Sequence, residues 1–186
     1  MVNVRYDVTS DLLDNIHDMQ RKLAPKNVNK VVGRAVANQV RESILSYGEA
    51  HPNKMGAPSS GYYKGAAKGT SFTSDDNGAT VTVTHVGINQ RIYGGIIEAK
   101  KSKYLTIPVH VKAYNRRARD MELVPIIRRI NGQVKMIGLA EPESGGKPGK
   151  MMFVLKEKVR QVGDVNIVPT EKEMAKAAHE ALDREL

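Results

Sequence analysis

The residues able to do chemistry are scattered along this chain. Five histidines are present, His17, His51, His85, His110 and His179. A structural metal site wants His together with Cys or clustered carboxylates at short spacing. Each of these histidines stands alone, and the chain has no Cys. That excludes thiolate ligands, disulfides and thiol nucleophiles. His85 continues the inward face of an alternating segment and reads as a core or interface histidine. Asp75-Asp76 is an acidic pair, but Asn77-Gly78 follows it, and that order is a hairpin turn rather than an acid/base couple. Gly61-Tyr62-Tyr63-Lys64-Gly65 lacks the Gly-Lys-Ser/Thr element of a phosphate loop. No Gly-x-Ser-x-Gly elbow occurs. No catalytic, cofactor-binding or metal-ligating residue is expected, and no enzyme activity.

The strongest chemical feature is basic. Lys100, Lys101, Lys103, Lys112, Arg116, Arg117 and Arg119 crowd one stretch. The chain carries 29 Lys and Arg against 20 Asp and Glu, a net charge of +9. Residues 93–150 hold 12 Lys and Arg against 5 acids, so +7 of the excess lies there. Charge focused in this way implies an acidic partner, or else a solvated loop surface. Duplex DNA would be bound through phosphate neutralisation. Tyr104 and Tyr114 are the only aromatics in the stretch, too few for reading single strands by stacking. No helix-turn-helix, zinc finger or RNA-recognition signature is present.

The elements that must position these residues follow from pattern. A chain of 186 residues suits one domain spanning 1–186. Only 5% of it is aromatic and there is no Trp, so the core must be built from Val, Ile, Leu, Met and Ala. No apolar run approaches the roughly 20 residues that span a bilayer, and no secretory signal is expected near the first residues. An N-terminal helix within 1–26 starts near Thr9, Ser10 or Asp11, presents Leu12, Ile16, Met19 and Leu23, and ends at Ala24-Pro25. A second helix runs from about Val28 to Ser46, its stripe interrupted by Gly33.

Residues 47–70 are rich in glycine and read as a flexible arm, with Tyr62 and Tyr63 as candidate contact residues. Residues 110–120 and 141–150 are further flexible loops. Asp76-Asn77-Gly78 and Asn131-Gly132 each signal a hairpin. Residues 79–86 alternate cleanly, with Val81 and Val83 on one face. Met151-Met152-Phe153-Val154-Leu155 is apolar throughout and predicts a central strand. Val159 to Val168 reads as an extended connector. Pro169 precedes Thr170-Glu171-Lys172-Glu173, a capping box that opens a final helix over 170–186. The fold class is α+β: a small antiparallel β-sheet packed against N-terminal and C-terminal helices, with long loops or arms.

One stretch joins several of these signals. In Tyr93-Gly94-Gly95-Ile96-Ile97-Glu98-Ala99-Lys100-Lys101-Ser102-Lys103-Tyr104-Leu105-Thr106-Ile107-Pro108-Val109, a glycine pair ends one element, a basic loop follows, and a short strand stops at proline. Gly94 and Gly95 allow positive φ or close backbone approach. Pro108 cannot donate to a ladder, which puts the strand at an edge or ends it there.

With Met152-Phe153-Val154-Leu155 before Lys158-Val159, and Val168-Pro169 before the last helix, this order resembles the neck and tail-completion proteins of long-tailed bacteriophages, a group that includes minor tail and virion-morphogenesis proteins. The likeness covers roughly residues 28–186. Residues 48–69 and 141–150 depart from it. The resemblance implies a non-enzymatic virion subunit of the tail or neck, assembled in the host cytoplasm as a homo-oligomeric ring, with six-fold symmetry expected. It implies neck, tail-terminator or tail-tube neighbours, duplex DNA as a passing non-specific contact, no membrane and no cofactor. A basic cytoplasmic nucleic-acid-binding module is the alternative.

Overall fold

The structure, a computed structural model, describes residues 10–53 and 56–185, without the side chains of residues 10–14 and 16. Thr9 as a helix start, and Leu12 and Ile16 as stripe side chains, lie outside the described residues. The fold is α+β with every strand pair antiparallel. Two compact units make up the chain. A helical unit comprises residues 1–47, 63–88 and 166–186, and a sheet unit comprises residues 48–62 and 89–165.

In the helical unit, α1 (Ser10–Lys22) is followed by α2 (Pro25–Ala50). Pro25 ends one helix and opens the next, because proline suits the first helical turn, where its missing N–H leaves nothing unsatisfied. The carbonyl of Ala24 accepts from Val28 N at 3.1 Å. α2 therefore starts before Val28 and outruns Ser46. Gly33 is buried rather than a gap in the stripe. A Cβ there would meet Phe72 Cδ2 at 2.7 Å and the Ala79 Cβ at 2.9 Å. Phe72 and Ala79 belong to the hairpin β1 (Thr70–Asp75) and β2 (Gly78–Val83). Asp75 holds its turn, its Oδ1 accepting from Asn77 N at 2.8 Å and Gly78 N at 3.1 Å.

Part of the arm expected over 47–70 is instead helix: α2 continues to Ala50, and α3 spans Tyr62–Lys68. Ala66 and Ala67 of α3 are buried in the core. Its Gly65 serves packing, since a Cβ there would stand 2.9 Å from His85 Nε2. α5 (Glu171–Glu185) closes the unit. Ser43 of α2 donates to the Ile167 carbonyl at 3.2 Å just ahead of it. Ile44 and Ile167 are fully enclosed.

The sheet unit follows α4 (Ile88–Tyr93) with β3 (Gly95–Glu98) and β4 (Leu105–Pro108). β5 (Val124–Ile130), β6 (Gln133–Pro142), β7 (Pro148–Lys156) and β8 (Lys158–Gln161) complete it. A four-stranded sheet has the order β4-β7-β6-β5, while β3 pairs with β8 alone. β4 is an edge strand ending at Pro108, and β7 lies inside with Met152, Phe153 and Leu155 buried.

Three loop expectations are corrected here. Residues 110–120 contain two 3-10 turns, Val111–Ala113 and Ala118–Asp120, and Ala113, the last residue of the first, is fully buried in a cluster with Met152 and Phe153. A small apolar residue placed there ties the segment down. Between Pro142 and Pro148 only a short turn remains, closed by Glu143 N donating to the Lys147 carbonyl at 2.8 Å. The connector over 159–168 contains β8 and a 3-10 turn at Val165–Ile167.

Candidate functional site

The sheet unit holds the whole charge excess. It carries 17 Lys and Arg against 8 Asp and Glu, while the helical unit carries 12 against 12. The +9 of the chain is therefore the +9 of one unit. Within it the basic stretch is not one loop. Lys100, Lys101 and Lys103 precede β4, and Lys112, Arg116, Arg117 and Arg119 follow it.

The second run is partly neutralised: Lys112 Nζ lies 3.2 Å from Glu141 and Arg119 Nε 3.7 Å from Asp120. The first run keeps its charge. Among the described residues no carboxylate pairs with Lys100, Lys101 or Lys103. Ladder register sets Lys156 opposite Leu105, so a further cation joins this end of the sheet. Lys103 Nζ sits 5.5 Å over the Tyr104 ring, a weak hold for an exposed ammonium.

Other singled-out residues are structural or internally engaged. Tyr62 lies under the Arg91 guanidinium at 5.1 Å, and Tyr63 meets Tyr47 edge to face at 5.4 Å. Each tyrosine is thus engaged within its own unit. Gly94 and Gly95 both take positive φ, +75° and +144°. A Cβ on Gly94 would stand 2.7 Å from Gly163 N and 2.8 Å from the Gln161 carbonyl. The reverse holds too, for a Cβ on Gly163 would strike the Gly94 amide nitrogen and the Tyr93 carbonyl carbon. Two backbones cross here with no room for side chains. Thr170 and Glu173 form the capping box, with Thr170 N donating to Glu173 Oε2 at 2.7 Å and Glu173 N to Thr170 Oγ1 at 3.3 Å. Pro169 is buried ahead of them.

The structure adds two surfaces. The first is the distal half of the β5–β6 hairpin. β6 pairs with β7 only from Gly138 onward, so residues 127–136 form a two-stranded ribbon running past the sheet. All ten are exposed. Asn131 and Gly132 at its tip have φ of 52° and 77°, as a tight hairpin requires. The pairs Ile127↔Met136 and Arg129↔Val134 share one face, and Arg128↔Lys135 and Ile130↔Gln133 the other. Ile127 is 58% exposed and Val134 65%.

No acid occurs between Glu122 and Glu141. Arg128 and Lys135 stand directly opposite, an arrangement that destabilises a lone ribbon. The second surface is an open cleft of about 550 Å³ lined by Tyr93, Ile96, Arg160, Val162 and the glycines of the crossing. Tyr93 is 77%, Ile96 58% and Val162 86% exposed. The sequence carries only a weak signal for the ribbon: Ile126-Ile127-Arg128-Arg129-Ile130 breaks strand alternation, and its cations have no acidic neighbours in sequence. Nothing in sequence marked the cleft beyond the glycine pair.

Among the described residues no three His, Asp or Glu side chains gather to hold a metal, and no helix is long and apolar enough to cross a membrane. No protein-family model, curated protein or solved structure matches the chain.

Proposed function

We propose that the chain is a structural subunit of a tailed-bacteriophage virion. Its place is tail completion or the neck that joins head to tail, or a minor tail position, and it assembles as a homo-oligomeric ring. The observation that carries this reading is the free β5–β6 ribbon, ten exposed residues in which four are large and apolar. Isolated two-stranded ribbons are marginal in water, so a ribbon of this composition suits a chain that meets partners. The resemblance over 28–186 supplies the phage setting.

In this reading Lys100, Lys101 and Lys103 face an acidic neighbouring ring, where complementary charge selects the partner. A strongly attractive lumen would retard passing DNA. Reversing the three lysines to glutamate is expected to block joining of heads to tails while the subunit stays folded, scored by electron microscopy of particles and by circular dichroism. Normal infectious particles from the triple variant would refute it.

A second reading, a basic nucleic-acid-binding module, is favoured by the location of the whole net charge of +9 on one unit. It requires a monomer or dimer whose duplex affinity falls steeply with salt, with a logarithmic slope of about 0.9 per phosphate contacted.

A further inference from the structure

We infer that the β5–β6 ribbon of one copy seats in the β3–β8 cleft of the next, making a head-to-tail contact between copies of this chain. The inference rests on the reading of the chain as an assembly subunit and names the surfaces involved. Ile127, Val134 and Met136 share one ribbon face and are open to solvent. That face does not suit a two-fold contact with its own copy. Ribbon against ribbon would bring Arg129, which shares that face, together in both copies with no acid between Glu122 and Glu141 to offset it. A different surface must cover the ribbon.

The cleft has the matching form. It is concave where the ribbon projects, and its apolar walls, Tyr93, Ile96 and Val162, are among the most exposed large apolar residues described. Gly94, Gly95 and Gly163 line it with bare backbone, which lets another strand approach closely. β3 and β8 pair only with each other, so each keeps one free edge. Glu98, the last residue of β3, and Glu157, just ahead of β8, are exposed, have no ion-pair partner among the described residues, and offer carboxylates to Arg129, the cation on the apolar ribbon face. Arg160 on the cleft wall repels the ribbon's cations, so charge fixes orientation while apolar burial supplies the attraction. Two unlike surfaces on one chain give a heterologous contact, which closes into a ring when the rotation permits.

Mixing two variants tests this. I127S/V134S/M136S breaks the ribbon and leaves the cleft; I96S/V162S breaks the cleft and leaves the ribbon. Wild type is expected to sediment as an oligomer, and each variant alone as a monomer. An equimolar mixture should form a dimer and nothing larger, because one ribbon and one cleft remain. The single changes Val134→Glu and Val162→Glu repeat the test at sites so exposed that folding is spared, with circular dichroism as the check.

A mixture that stays monomeric while wild type assembles overturns the ribbon–cleft contact and leaves the assembly reading standing. So does a ribbon variant that keeps the wild-type mass, or one whose only defect is loss of duplex binding. A wild type that is monomeric at all concentrations overturns both.

Discussion

At Gly94 and Gly163 two backbones pass at a distance that admits no side chain. Overpacking usually costs about 1–3 kcal/mol when neighbouring side chains can shift. Here the atoms in the way at Gly163 are backbone atoms of Ile92, Tyr93 and Gly94, which cannot move without disturbing α4 and β3. Gly163→Ala is therefore expected to destabilise the chain at or above the upper end of that range, about 3 kcal/mol. Urea unfolding followed by circular dichroism measures it, and a midpoint equal to wild type would show that the crossing relaxes freely. Only half of this feature was legible in sequence. Gly94-Gly95 announces itself as a pair between two apolar segments. Gly163 is a single glycine in an extended connector, and its role depends on a partner 69 positions earlier in the chain.

The capping box of α5 shows an element whose stability depends on one proton. Backbone donation from Thr170 N, followed by donation from the Thr170 hydroxyl, holds the Glu173 carboxyl below its ordinary value of 4.5. A carboxylate with a depressed pKa contributes fully above the unfolded value and loses that contribution as pH falls through the lower folded one. Wild type should exceed Glu173→Gln in stability above pH 4.5, and the gap should close as pH falls below it. Urea unfolding at several acid pH values checks this, and parallel curves for the two proteins would rule the cap out as the source.

Sequence read this box, both Asn-Gly and Asp-Asn-Gly hairpins, the central strand at 151–155 and the edge strand at Pro108, because each depends on a local signal. It missed α3, where Gly61, Gly65 and Gly69 suggest a loose coil. The packing of the His85 ring on Gly65 gives that glycine its reason. It also placed the arms in glycine-rich and polar segments. The element that projects is the β5–β6 ribbon, whose Ile and Val content reads as buried strand until the length of β7 is known.

Across the whole molecule the charge is divided as +9 and zero between two units. Copies that meet through the sheet unit must overcome mutual repulsion, so moderate salt should favour self-association, whereas it weakens any hold on phosphate. Sedimentation and duplex binding over one salt series thus move in opposite directions for the two readings of function.

The facing cations of the ribbon have a consequence for the chain before it finds any neighbour. A free strand edge with Ile127, Val134 and Met136 is a template for stacking into fibrils. In-register stacking would pile Arg128 on Arg128 and Lys135 on Lys135, a growing column of like charge. These two residues therefore act as gatekeepers against aggregation while subunits accumulate. R128S/K135S should remove that guard, and the purified variant should develop turbidity and thioflavin T fluorescence sooner than wild type at equal concentration. If the two proteins stay clear for equally long, the ribbon is protected by its twist or its tip rather than by its charge.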